Sequence, residues 1–439
     1  MPTRILVVGS GAREHALAWK LAGEPGVNLV AVAPGSAGIA SEDRVKALPG
    51  VDALDPVAIV AAARELAAEL VVVGPEGPLA VGVVDALEAA GIAVFGPTQA
   101  AARLETSKSW CHEIAAAAGV RMAQSRSFAG DELGAAMAYV RELGETGRTA
   151  VLKVDGLAGG KGVVVTESVE QALELLPGFL SGRPYDGPAL VIEERLHGRE
   201  ATVIAISDGT RAIALPAARD HKRLCDGDRG PNTGGMGAYS PLPDLDDAAV
   251  EHVLDTVHLP ILAELERRGT PFRGFLYAGL ILTSAGPILL ETNVRLGDPE
   301  AQAILPRVAA PIGPLLLAAA HGRLSANLPR SVPTTPGAAV AIVLAAKGYP
   351  GDPRRGDAVD GLDAARDEGA LIFHAGTLRR PQAGWGTNGG RVLTVVGRGS
   401  DLEAARANAE RAADAISWDG LQRRRDIADA LPLPVGAGS

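Results

Sequence analysis

Short apolar runs alternate with helix-period stretches from the start of the chain to about residue 103. Residues 5–8, 29–33, 70–73 and 92–95 read as buried strands. Residues 56–68 and 79–90, and the stretch bearing Leu17 and Leu21, repeat their apolar positions at helical spacing. That alternation predicts a doubly wound parallel sheet with ligands at the C-terminal strand ends. Near residue 104 the pattern changes. Strand-like runs at 151–154 and 163–165 flank a glycine loop, and further strands are expected at 189–196, 201–207, 274–283 and from 288 to about 293, with an amphipathic helix over 245–268. Residues 219–241 show neither period, are rich in charge, Gly and Asn, and are expected to be an irregular segment packed on the core. A third change falls near residue 331, where a proline-rich linker at 333–336 leads to an apolar strand at 338–345. Runs at 370–374 and 391–396 and a closing helix over 401–416 follow. The expected division is therefore 1–103, 104–330 (with a subdomain at about 121–190), a small α/β cap at 331–426, and a tail at 427–439. The class is mixed α/β and α+β, multidomain.

Composition narrows the function. Apolar residues make up 47% and charged residues 21%, the balance of an ordinary globular enzyme. The net charge of −10 does not suggest a nucleic-acid surface. Two cysteines, Cys111 and Cys225, form no disulfide framework, and no apolar run is long enough to span a bilayer. A cytoplasmic protein with neither membrane nor nucleic-acid partners is expected. Its 54 glycines are numerous for the length, and they cluster in loops.

Those loops hold most of the candidate chemistry. Along the strand that starts at Ile288, side chains alternate faces, so Glu291, Asn293 and Arg295 point one way. Two oxygen ligands beside a guanidinium suit Mg²⁺, which completes its shell with phosphates and water, although a solvated polar rim explains the triplet equally well. Lys153 sits among apolar strand neighbours, where an ammonium is costly unless an anion meets it. The loop after it (Gly156, Gly159, Gly160, Lys161, Gly162) offers backbone N–H groups to phosphates, but Gly162 after the lysine rules out a Walker A loop. Lys108 is either a solvated helix lysine or a phosphate contact. Glu193-Glu194 at a strand end and Glu200 suit an adenine amino group and ribose hydroxyls, although a Glu-Glu pair at a strand end is usually just solvated. The Gly9-Ser10-Gly11 turn invites a dinucleotide, yet Glu14 stands where the fingerprint needs its third glycine, and a carboxylate there repels pyrophosphate. Turns at 74–78 and 96–98 end two more strands at the same edge, which reads as a small-molecule site or as plain loop termination.

Taken together, the strand lysine, glycine loop, Glu-Glu-x-Leu turn and Glu-x-Asn strand resemble the ATP-grasp ligases. The ordered set of Gly11 with Arg13–Ala16, Gly74-Pro75-Glu76, 153–162, Asp220-His221-Lys222-Arg223, 230–241 and 293–300 is similar to the phosphoribosylamine–glycine ligase family. The resemblance implies an ATP-grasp fold with a mobile lid in the central region, and ligation of glycine to 5-phosphoribosylamine with ATP and Mg²⁺ or Mn²⁺, through a glycyl phosphate, by a monomer. It implies Glu291 and Asn293 as metal ligands, and Lys108, Lys153, Gly159, Gly160, Lys161, Glu193, Leu196 and Glu200 around ATP. Gly11, Arg13, Glu14 and Glu76 would hold the phosphoribosylamine. Asp220, Lys222, Asn232, Gly234, Gly235 and Gly297 would line the substrates, with Arg295 and Asp298 for the two ends of glycine. Catalytic roles would fall to Lys153, Asp220, Arg295 and Asp298. Ala12, Gly159, Leu296 and Arg199 depart from the family's usual residues, and Arg199 alone bears on chemistry, near the ribose. Another ATP-grasp carboxylate–amine ligase would lack the 220–237 segment, an oxidoreductase would rest on Gly9-x-Gly11, and a non-enzymatic nucleotide-binding module would have no use for the metal and lysine pattern.

Overall fold

The computed structural model describes residues 1–157, 162–181, 189–381 and 384–429. Its first sheet contains β1 (Arg4–Gly9), β2 (Leu29–Pro34), β3 (Val45–Ala47), β4 (Leu70–Val73) and β5 (Val94–Phe95), all parallel, in the order β3-β2-β1-β4-β5. Strand order reverses between β1 and β4. In open α/β sheets that point leaves a crevice beyond the carboxyl ends, and here it is rimmed by the Gly9–Gly11 and Gly74–Glu76 turns. The helices are α1 (Ala12–Ala22), α2 (Pro56–Glu65), α3 (Glu76–Ala80) and α4 (Val83–Ala89). The helix expected over 79–90 is thus two, because Gly82 adopts φ 81°, a left-handed conformation that breaks the first and is cheap only for glycine.

Two helices, α5 (Gln99–Thr106) and α6 (Lys108–Ala117), lead into the central region, where Ser107 caps α6 by accepting from the Trp110 N–H at 3.2 Å. Next come β6 (Ser125–Phe128), α7 (Leu133–Glu145), β7 (Ala150–Val154), β8 (Val163–Val165), α8 (Val169–Leu180) and β9 (Leu190–Glu194). Their antiparallel sheet, ordered β6-β9-β7-β8, buries Phe128, Tyr139, Leu143, Leu152, Leu176 and Ile192 in a core of its own. β10 (Arg199–Asp208) and β11 (Ala212–Ala214) open another antiparallel sheet.

Residues 219–240 correct the expectation of an irregular segment. They form four short strands: β12 (Arg219–Asp220), β13 (Arg223–Cys225), β14 (Arg229–Asn232) and β15 (Gly237–Ser240). β13 and β14 make an exposed hairpin, whose polar, glycine-rich residues face solvent and so show no apolar period. The helix expected over 245–268 is α9 (Asp247–Val253), a π-helical turn (Leu254–His258) and α10 (Leu259–Arg267). Pro260 has no N–H to give the carbonyl four residues back, and the wider turn absorbs that loss. β16 (Arg273–Thr283) and β17 (Gly286–Asn293) then complete the order β11-β10-β16-β17.

After α11 (Glu300–Ile304) and α12 (Gly313–Ala320), β18 (Ala338–Ala345) begins the C-terminal region. β19 (Ala358–Val359), α13 (Leu362–Asp367), β20 (Leu371–His374), β21 (Thr377–Arg379), β22 (Trp385–Thr387), β23 (Arg391–Gly399) and α14 (Leu402–Ala415) follow. The main sheet here runs β12-β15-β18-β23-β20, so it takes two strands from the segment before the linker. Among the described residues, no helix is long and apolar enough to cross a membrane.

Candidate active site

β17 sets up the site through a fault in its pairing. Gly279 faces Glu291 across the ladder while Leu280 faces Leu289, so Leu290 is an unpaired bulge residue. The bulge resets the alternation. Leu289 and Thr292 are buried, and Glu291 and Asn293 are half-buried on the open face. Arg295 keeps that phase, although the strand has ended at Asn293. The bulge carbonyl of Leu290 accepts from Lys153 Nζ at 3.2 Å.

Lysines gather around Glu291. Lys222 Nζ lies 3.6 Å from Glu291 Oε1 and 2.7 Å from Glu200 Oε2. Lys222 above all, then Lys153, Lys108 and Arg295, overcome burial and hold the Glu291 carboxyl below the usual carboxylate range. Burial alone would lower the Lys222 ammonium, but Glu200, Glu291 and Asp220 outweigh it and keep the proton on well above its ordinary value. The Asp220 carboxyl is pushed well up, by burial first, with Lys222 opposing and Glu300, Glu200 and Glu291 adding to the rise.

Lys153 is only 4% exposed on β7, and the anion that meets it is Glu193 of the neighbouring β9, at 2.8 Å. Glu193 also pairs with His112 Nε2 at 2.8 Å. Burial would raise the Glu193 carboxyl, yet Lys153 and then His112 bring it below the ordinary range. Lys108 opens α6 and donates to the Gly156 carbonyl at 3.0 Å, at the root of the glycine loop. Asp155 ties that root to α6 by accepting from the Lys108 and Ser109 N–H groups. Burial lowers the Lys108 ammonium.

At the N-terminal edge, Glu14 Oε2 accepts from the Gly11 N–H at 2.7 Å, and Oε1 pairs with Arg13 at 2.5 Å. The carboxylate thus takes the backbone donor that a pyrophosphate would use. It also fills the space over Gly9, where a Cβ would stand 2.5 Å from Glu14 Cγ. Arg295 forks between Glu76 (3.2 Å), at the turn after β4, and Glu105 (2.8 Å), which also accepts from the Val294 N–H at 2.8 Å, and Arg13 donates to the Leu296 carbonyl at 3.2 Å. Burial would raise Glu76, but Arg295 and Arg13 hold it low. For Glu105 burial wins over Arg295, and its carboxyl is raised. Asp298 is held by Gln302 at 2.7 Å and by Arg391 at 3.2 Å, and a side chain on Gly11 would begin 3.7 Å from its Oδ2.

Sequence comparison places this arrangement. The family models for the phosphoribosylglycinamide synthetase N domain, ATP-grasp (A) domain and C domain match residues 3–105, 106–301 and 339–430. The chain belongs to the phosphoribosylglycinamide synthetase family. Within that family it is 48% identical to a phosphoribosylamine–glycine ligase of Streptomyces coelicolor over 97% of this chain and 98% of that one. A Neisseria meningitidis phosphoribosylamine–glycine ligase is 43% identical over 97% and 99%. The crystal structure of the Thermotoga maritima phosphoribosylamine–glycine ligase superposes with a TM-score of 0.77 at 33% identity, covering 97% of this chain and all of that one. A 2-oxoglutarate carboxylase biotin carboxylase domain, solved with MgADP, shares the fold at TM-score 0.70 and 16% identity over 96% of this chain and 92% of that one.

For this synthetase-family chain, most residues singled out in the sequence converge. Lys108, Lys153, Glu193, Glu200, Lys222, Glu291 and Asn293 group around the β17 exit. Gly11, Arg13, Glu14, Glu76, Arg295 and Asp298 group at the β1/β4 crevice. Gly297 packs against the Glu300 carboxylate, and Gly234 and Gly235 lie beside Asp298 and Arg391. Asn232 faces Arg223 at the root of the hairpin, and Leu196 is half-buried just past β9. Gly159, Gly160 and Lys161 lie outside the described residues. Arg199 is paired with Asp244 at 2.9 Å, so its charge is already met.

Three neighbours had gone unmarked: Glu105, His112 and Tyr277, whose hydroxyl donates to Glu300 at 2.9 Å. His112 was detectable, standing one helical turn beyond Lys108 on the same face. Nothing local marks Tyr277, whose relation to Glu300 exists only across the sheet.

On the other face of β17, Thr292 donates to the Leu104 carbonyl at 2.8 Å. Thr292→Val would leave that carbonyl unmet at a cost of about 1–3 kcal/mol. It should lower the melting temperature and leave the magnesium dependence of turnover unchanged, and a shifted magnesium curve would show that the two faces of the strand are not separate.

Proposed function

We infer that this chain is an ATP-dependent ligase that joins glycine to 5-phosphoribosylamine, giving glycinamide ribonucleotide, ADP and phosphate, and that it acts in purine biosynthesis as a cytoplasmic monomer. The observation that carries this reading is the convergence of Lys222, Lys153 and Lys108 on Glu291, which lowers its carboxyl. Three cations around one carboxylate suit a polyphosphate with its divalent ion. Among the described residues no group of three or more His, Cys, Asp or Glu forms a cage for a metal. A Glu–Asn pair that leaves most of the shell to phosphate and water fits Mg²⁺, or Mn²⁺ in its place, and not a fully protein-ligated zinc. Glu291 and Asn293 would hold the ion, which when bound neutralises charge on the transferring phosphoryl group.

A carboxylate is a poor acyl donor because oxide cannot leave. Transfer of the γ-phosphoryl group to glycine's carboxylate oxygen makes a glycyl phosphate. The ribosylamine nitrogen then attacks its carbonyl carbon, phosphate departs, and the nitrogen loses a proton. Lys108 and Lys153 balance phosphate charge, Glu193 and Leu196 take adenine, and Glu200 takes ribose. Gly11, Arg13, Glu14 and Glu76 hold the phosphoribosylamine at the β1/β4 crevice. Asp220, Lys222, Asn232, Gly234, Gly235 and Gly297 line the space between. Arg295 and Asp298 face the two ends of glycine. A glycine carboxylate at Arg295 requires Glu76 to yield, since its side chain is 32% exposed against 8% for Glu105.

Phosphate release should require ATP, glycine and phosphoribosylamine together, the amine being generated in the assay, and NAD(H) should change nothing. Turnover with another carboxylic acid and none with glycine would overturn the substrate assignment and leave the fold standing.

A further inference from the structure

The C-terminal region reaches the site at Arg391, at the start of β23. One guanidinium nitrogen donates to the carbonyls of Gly234 at 2.6 Å and Asp298 at 2.7 Å, with the Gly235 carbonyl at 3.5 Å. The other terminal nitrogen pairs with Asp298 Oδ2 at 3.2 Å. Arg391 therefore touches both the backbone and the carboxylate of Asp298, and joins them to the 234–235 loop. Tyr349, also C-terminal, holds the far side of that loop by accepting the Gly234 N–H at 2.9 Å. Against burial, which alone would raise it, Asp298 is held low by Arg391 foremost and then Arg13, so it remains an anion. Gln302 occupies its other oxygen, and the Gly11 turn lies against Oδ2.

We propose that Arg391 is a positioning residue for the glycine and ribosylamine side of the site, fixing Asp298 beside the Gly11 turn through the fork of its guanidinium. The inference rests on the functional reading above and adds a role for a residue outside the ATP-grasp region. A planar fork reaches the carbonyls with one nitrogen and the carboxylate with another, whereas an ammonium carries its three donors on a single atom. None of these contacts touches Lys108, Lys153 or Glu193, so the effect should fall on glycine and the amine and spare ATP.

The test uses the full chain with Arg391→Ala, Arg391→Lys and Tyr349→Phe, measuring KM for ATP, glycine and phosphoribosylamine separately, with thermal melting as the folding control. For Arg391→Ala, kcat/KM for glycine and for the amine should each fall by about 30-fold, the lower end for truncating one partner of a hydrogen-bonded charge pair. KM for ATP should hold. Arg391→Lys should stay impaired, and guanidinium salt in the assay should partly restore Arg391→Ala. Tyr349→Phe removes one hydroxyl and no charge, and should raise the same two KM values to a smaller extent. If Arg391→Ala does not fold, this variant and Arg391→Lys decide the matter. Equal losses toward all three substrates, a fully active Arg391→Lys, or unchanged KM for both glycine and the amine in Tyr349→Phe would overturn the proposal. Wild-type protein that turns over none of the three would instead overturn the functional reading.

Discussion

Glu291→Gln should turn over slowly and need more Mg²⁺ for half-maximal rate, while melting like the wild type. The substitution keeps the shape and removes one negative charge from the face where Lys222, Lys153 and Lys108 meet. Folding should survive because Lys222 keeps its closer partner, Glu200, at 2.7 Å. Losing a preorganised electrostatic contact to developing charge costs roughly 10²–10³ in kcat, so a deficit should persist at saturating metal. Asn293→Ala removes a neutral oxygen from the same face and should shift the magnesium curve less. Rate against Mg²⁺ at fixed ATP decides the matter: a Glu291→Gln protein with an unshifted curve would remove Glu291 from the metal site.

Replacing Lys153 by methionine should cost both stability and rate. The substitution keeps the apolar stem and leaves Glu193, 2% exposed, with the His112 ring as its remaining partner. Breaking a buried ion pair by removing one member costs about 3–5 kcal/mol. The sign of the pH effect follows from Glu193. Its carboxyl is held below the ordinary range, so the stability it contributes is present above the unfolded value and is lost as pH falls through the lowered one. In Lys153→Met that acid-side loss should begin at higher pH. The double variant Lys153→Met, Glu193→Gln should regain much of the melting temperature and none of the activity, because the charge proposed to face the phosphates is still missing. A single variant that melts normally and keeps most of its turnover would separate Lys153 from the site.

Legibility in the sequence tracked how local each signal was. The βα alternation of the first sheet stood in apolar runs and in the Gly9, Gly74 and Gly96 turns, and every one of those strands is present. Lys153 was readable because an ammonium in an apolar strand needs an anion, but that anion is Glu193, forty residues on. The sequence reading assigned the two to different parts of ATP, and only the β7–β9 register brings them together. The face shared by Glu291 and Asn293 was legible from alternation alone, whereas the Leu290 bulge that supplies a carbonyl to Lys153 was not. Residues 219–240 resisted for a further reason. β15 takes its partner from β18, beyond the linker, so nothing local to the segment announces its pairing.

That pairing also bears on the order in which the protein comes into being. Gly237–Ser240 are buried in the finished molecule, with β12 on one side and β18 on the other. On the ribosome, β15 leaves the tunnel about 100 residues ahead of β18, an interval of roughly 5–20 s at ordinary rates of synthesis. During that time one side of β15 has no native partner, and the segment that brings Asp220, Lys222 and Gly234 into the site is not yet locked in place.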